Sequence, residues 1–416
     1  MTMYWVYSYL GAIRLTIRSS FLVLNLILLI GLLFPGVSVG IYVCTLMPVA
    51  VLIKKDNALL RSNIVLIFIV IFLMNIFAQT LLGFPPNFKL ALNFLGNLVM
   101  VYCIISLLRS NDDLTSYLEG LVKLHVAVAV IFMSVALFSQ GSDMFSLNQN
   151  YIYTRLNSAL PFVLIEKQVM APFLAFSGIL AFSLIKPKSF WRNLFIFTFS
   201  ALVLYVSFAS RSVLVALTLT CFIFVFRRFF GYKLLASASV ISVLLLIGVA
   251  SIFFESYLDI IRLIDIRGVV FLEIIDEIKM NPFGVGYGNT VPYVIANNDA
   301  LLLDSAYYFE NLKDSSEEFG RMDIKNFPIN IESSFFIVAL EQGLIILVLL
   351  YTFFITKIAR LLDGSNKLVR LYVIGSSMIF FSGLTEDNFL LIPFLFYISL
   401  FLRLVYFRGL REPAIS

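Results

Sequence analysis

The sequence predicts an all-α membrane protein, a polytopic bundle of about twelve transmembrane helices with one large outer loop that contains amphipathic helices. Three observations carry this. Of the 416 residues, 61% are hydrophobic and only 13% are charged, and the mean hydropathy is +0.98, more apolar surface than a soluble domain can hide. Apolar runs of about twenty residues, enough to cross a hydrocarbon core as helices, recur along the chain. The basic residues gather at one set of helix ends, as the positive-inside rule requires.

The runs fall near 16–34, 37–53, 63–82, 90–108, 119–138, 166–185, 193–209, 212–229, 234–254, 333–356, 368–384 and 388–405. Several junctions are tight: Pro35-Gly36, Ser210-Arg211 and Thr385 to Asn388. Two stretches are long and hydrophilic, about 140–165 and, much larger, 255–332. The chain therefore divides into helices over 1–254, a large loop over 255–332, and further helices with a tail over 333–416. The N-terminal run has no small-residue cleavage site behind it and reads as an anchor. The halves show no internal repeat, which counts against transporter folds built from paired repeats.

With the N-terminus in the cytoplasm, 20 of the 30 Lys and Arg residues lie at cytoplasmic helix ends, from Arg14 and Arg18 to Arg408 and Arg411. Both termini are then cytoplasmic, and Arg211 and both long loops face outward. The net charge of +5 says little by itself. Cys44, Cys103 and Cys221 all sit in apolar segments, giving neither a metal-ligand spacing nor a disulfide framework. No metal site, no cofactor and no nucleic-acid partner is expected.

From Glu255 to Met280 a helical wheel collects Glu255, Asp259, Arg262, Asp265, Glu273, Asp276 and Glu277 within about 120°. Arg267 projects roughly 140° away from Arg262, among Ile260, Leu263, Val270 and Ile274. Such a helix would lie along the membrane with its acids in water, unless Gly268 breaks it. The following "NPFGVGYGN" looks superficially like a phosphate loop. It lacks the preceding strand and the following helix with Lys, so it reads as a turn packed against the membrane surface.

Charges near membrane depth are costly and usually face a cavity. On the outer side these are Arg155, Arg211, Arg262 and Arg267. A guanidinium stays protonated and presents a fork of donors matched to phosphate oxygens. Arg211 has two readings: an anchor that reaches outer headgroups or pairs with a distant acid, or a phosphate ligand. Arg155 and Arg262 have acidic neighbours and could equally be ion-paired. Glu332, where the chain re-enters the membrane, is either a helix cap stabilised by the dipole or a general base. Glu341, about 180° further around the same helix, is expected to pair or hydrogen-bond locally. His125, the only histidine, is placed near the cytoplasmic end of its run, away from outer chemistry. Glu386 and Asp387 lie in an outer turn, where they could anchor a loop arginine.

Over roughly 150–350 the chain resembles the bacterial O-antigen polymerase and ligase superfamily. "SFASRSVLVAL" resembles its Ser-Arg junction between two tight spans. "DIRGVVFLEIIDEIKMNPFGVGYGN" resembles its large-loop signature, with Arg267 fifteen residues before Pro282. "TRLNSALPFVLIEKQVMAPFLAF" resembles its Arg-containing approach to the preceding span, with Arg155 in the matching place. "ESSFFIVALEQGLIIL" resembles the helix after the loop. Ligases carry a histidine where this chain has Glu332, which favours the polymerase branch.

The resemblance implies an inverting, metal-independent glycosyltransferase of the bacterial inner membrane. It would join undecaprenyl-diphosphate-linked repeat units at the periplasmic face, within a membrane that also holds a flippase and a chain-length regulator as partners. Arg211 and Arg267 would hold the diphosphate, Arg155 would come second and Arg262 last, and Glu332 would act as base. Gly284, Gly286 and Gly288 would shape the loop. An O-antigen ligase and a lipid-linked oligosaccharide flippase remain as alternatives.

Overall fold

Helices form where the apolar runs lie, because a backbone in lipid must satisfy its own N–H and C=O groups. The computed structural model describes residues 24–33, 63–81, 83, 88–107, 111–140, 167–186, 189–208, 210–226, 278, 280–286, 334–364, 367–383 and 392–406. Among them there is no strand. In chain order the helices are α1 (Leu24–Leu33), α2 (Asn63–Leu81), α3 (Phe88–Leu107), α4 (Asn111–Gln140), α5 (Lys167–Ala181, ending in a 3-10 turn, Phe182–Leu184) and α6 (Phe190–Ser207). They continue with α7 (Arg211–Phe226), α8 (Ser334–Gln342), α9 (Leu344–Gly364), α10 (Lys367–Ser382) and α11 (Ile392–Tyr406).

The runs near 37–53 and 234–254 lie outside the described residues; each of the others carries a described helix. Two differences from the sequence reading matter. The run near 333–356 is two helices, α8 and α9, parted at Gly343. The run near 119–138 belongs to a longer helix that starts at Asn111. His125 therefore sits at mid-helix rather than near an end, because the polar stretch "NDDLTSYLEG" continues the helix beyond its apolar part.

α5 and α10 form the middle of the bundle. α5 packs against α4, α6 and α10, while α10 also packs against α7, α9 and α11; α11 reaches α3. Every described position of α5 from Val169 to Ala181 is buried, as expected of a helix apolar all round. Close crossings use small residues: Gly178 lies against Leu204 and the Ser200 carbonyl, and Gly375 lies under the Phe176 ring.

Other helices turn apolar faces outward, with Met74 and Phe77 on α2, Phe195 and Phe197 on α6, and Phe222 and Val225 on α7 all exposed. The helical stretches Leu114–Ser139, Phe190–Ser207 and Leu344–Leu362 are long and apolar enough to cross a bilayer. Large apolar surface in this form calls for lipid as solvent. The α5–α6 connection has the character of an interface. Trp191 is exposed, the Arg192 guanidinium donates to the Leu184 carbonyl (3.1 Å), and the Asn193 amide pairs with the Lys186 backbone.

Candidate functional site

The break between α8 and α9 is where distant parts of the chain meet. Asn281, Pro282, Phe283 and Gly284 make a β-turn closed by the Gly284 N–H on the Asn281 carbonyl (2.9 Å). Asn first, Pro second and Gly fourth suit such a turn. Gly284 and Gly286 both take positive φ, +87° and +99°, where a side chain is strained. Ile278 and Met280, just before the turn, are helical.

This turn is spliced into the helix. In an unbroken helix the Leu344 N–H would donate to the Leu340 carbonyl. Here the Leu344 N–H donates to the Pro282 carbonyl (2.9 Å), and the Leu340 carbonyl accepts from the Val285 N–H (2.8 Å). The two groups freed by the break are satisfied by one turn from more than fifty positions earlier. Gly343 permits the break by adopting φ +91°, with its N–H still on the Ala339 carbonyl (3.0 Å), an αL helix ending. α9 resumes at once, the Leu347 N–H donating to the Gly343 carbonyl (3.3 Å).

Two more carbonyls are freed, and α2 supplies their donors. The Gln79 side-chain amide donates to the Glu341 carbonyl and to the Phe283 carbonyl (3.1 Å). The Asn75 amide, one turn earlier on the same face, donates to the Gln342 carbonyl (3.2 Å). Orphaned backbone groups at a buried helix end need such partners. Gln79, Glu341 and Gln342 are buried. The amides of α2 carry no motif; their only signal is two amides spaced i, i+4 in an apolar helix. "NPFGVGYGN" reads in sequence as a turn on the membrane surface; its described part is a turn, and it is built into a helix break.

Arg211 is the first residue of α7. The junction before it is tight: the Phe208 N–H ends α6 on the Leu204 carbonyl (3.1 Å), and the Ser210 N–H donates to the Ser207 carbonyl (3.2 Å). The Arg211 side chain, and Arg155, Arg262, Arg267, Gly288, Glu332, Glu386 and Asp387 entirely, lie outside the described residues. α8 begins two positions after Glu332, and the Phe335 N–H donates to the Gly383 carbonyl (3.2 Å), which ties the start of α8 to the end of α10.

A second polar cluster lies inside the bundle. His125 Nδ1 is 2.9 Å from Ser177 Oγ, and Nε2 is 2.8 Å from the Tyr397 hydroxyl. Ser177 donates its one proton to the Phe173 carbonyl (2.8 Å), so it accepts from Nδ1–H. The Tyr397 hydroxyl then donates to Nε2, and the imidazole is neutral. Phe173 stacks on the ring (4.4 Å). The Tyr372 hydroxyl donates to the Leu118 carbonyl (2.8 Å), and the Tyr117 hydroxyl to Asn25 Oδ1 (3.3 Å). These bonds join α1, α4, α5, α10 and α11, giving the cluster the role of a staple between apolar helices.

Fold and exposed faces together define a class: a membrane protein, all-helical among its described residues, with several apolar helices. No protein-family model matches the chain, and no curated protein matches it.

Proposed function

We propose that this chain is a multi-pass glycosyltransferase of the bacterial inner membrane that polymerises a surface polysaccharide such as O-antigen. Twelve spans, cytoplasmic termini and a periplasmic loop over 255–332 belong to this reading. The donor is a growing chain on undecaprenyl diphosphate and the acceptor a single repeat unit on the same lipid. An acceptor hydroxyl attacks the anomeric carbon with inversion, its proton passes to Glu332, and undecaprenyl diphosphate leaves. Arg211 and Arg267 stabilise the charge that develops on the diphosphate, with Arg155 and then Arg262 further out.

The observation that carries this reading is the splice. The described parts of "MNPFGVGYGN" and "ESSFFIVALEQGLIIL", two of the segments behind the superfamily resemblance, meet at Gly284 and Gly343. Glycines at both places suit a family trait that has a structural cause.

The test is the sugar ladder of a strain lacking this chain. A lipid A-core bearing one repeat unit supports polymerase, and a normal ladder sinks it. One specific observation favours a second reading, a flippase: a membrane helix interrupted at a buried polar node is how transporters build binding sites. In that case repeat units would be retained inside the cell. Polymer stranded on its carrier would mean ligase.

A further inference from the structure

We propose that Gln79 is a positioning residue for the transfer reaction, an inference that rests on the polymerase reading for its chemistry. Two arms carry the candidate groups. One runs from Arg267 to the turn at Pro282, fifteen positions on; the other is α8, which begins two positions after Glu332. Gln79 Nε2 donates to a carbonyl of each arm, Phe283 on the turn and Glu341 on α8. Asn75, one turn earlier on α2, donates to the Gln342 carbonyl on α8.

Two carbonyl oxygens brought this close repel one another unless a donor sits between them. Gln79 is buried, with no exposed surface, so water does not substitute for it. A side-chain amide offers two N–H groups on one nitrogen without a charge, which is what bridging two neutral acceptors at this depth requires. The glycine interlock lets the arms approach and the two backbone bonds of the splice join them; Gln79 adds a side-chain donor shared between them. Misplacing a reacting group by about 1 Å can lower turnover about 100-fold.

The experiment uses the full chain in lipid nanodiscs with a lipid-linked repeat unit as substrate. Gln79→Leu is expected to insert normally and to lose about 10- to 100-fold in kcat, with KM changed less than about threefold, because the diphosphate ligands remain. Gln79→Glu tests the donor itself. Ionised, it sets a carboxylate against two carbonyls; protonated, it regains one O–H donor. The Gln79→Glu to Gln79→Leu activity ratio should therefore rise as pH falls, with Glu341 present in both variants and its titration cancelling. A flat ratio would overturn the proposal. So would wild-type kcat in Gln79→Leu, or a loss of activity matched by loss of folded protein.

A second readout needs no activity. Spin labels at the exposed Met280 and Ile345, in a chain with Cys44, Cys103 and Cys221 replaced by Ala, should give one narrow distance in the parent and a broad one with Gln79→Leu. An unchanged distribution sinks the clamp. If the parent chain transfers no sugar while the distribution broadens, the clamp stands and the polymerase reading falls.

Discussion

Gly284 and Gly343 face each other backbone to backbone. A Cβ on Gly284 would lie 2.6 Å from the Glu341 carbonyl oxygen and 2.7 Å from the Gly343 nitrogen; a Cβ on Gly343 would lie 2.6 Å from the Pro282 oxygen. The atoms in the way are backbone, which cannot swing aside as a flexible side chain would.

Gly284→Ala and Gly343→Ala should therefore each destabilise the protein by about 2–5 kcal/mol, combining the left-handed backbone penalty with overpacking. Thermal unfolding of the purified protein in detergent reads this directly. Gly120→Ala is the control, since nothing lies within 4 Å of its new methyl. It should be neutral or up to about 1 kcal/mol stabilising through helix propensity. Equal effects at Gly120 and Gly284 would remove the interlock as an explanation.

His125→Phe removes the acceptor for the buried Tyr397 hydroxyl. An orphaned buried hydroxyl costs about 1–3 kcal/mol, and adding Tyr397→Phe should restore part of that. Strict additivity in the double mutant would show that the pair is uncoupled. Because the imidazole lies in the bundle interior, the single mutant should lose stability without a matching change in KM.

Arg211→Ala and Arg267→Ala should abolish polymer formation while leaving the amount of membrane-inserted chain unchanged, as scored by the polysaccharide ladder beside an immunoblot. Lys at either position should rescue poorly, because an ammonium lacks the planar fork that grips a diphosphate. Normal polymer length in either Ala variant would remove that arginine from the diphosphate site.

Glu332→Gln keeps the shape of the side chain and loses its basicity. A fall in kcat of about 100- to 10,000-fold is expected if Glu332 accepts the acceptor's proton, whereas retained turnover reduces it to a helix cap. Turnover should also survive EDTA, since the charge on the leaving diphosphate is met by arginines; a strict need for a divalent ion would contradict that route.

Helix positions were largely legible in the chain itself. The run near 63–82 became a helix over Asn63–Leu81, and the run near 193–209 one over Phe190–Ser207. Errors came where polarity misled: α4 continues through "NDDLTSYLEG", since a helix need not stop where its apolar part stops. The break at Gly343 was illegible because "FFIVALEQGLIILVLL" is apolar on both sides and holds no proline. Asn75 and Gln79 are amides in an apolar helix, and nothing in the sequence says which carbonyls they meet.

Sequence alone determined the class, a helical chain apolar enough to call for lipid. Transfer free energy adds up along a run of residues, and a one-dimensional string contains that sum. Only the tertiary structure decided that Pro282 and Val285 would take the place of a missing helical hydrogen bond between Leu344 and Leu340. That choice depends on which far segment brings a donor and an acceptor at the right spacing, and on two glycines that let the backbones touch. Neither condition belongs to either segment by itself.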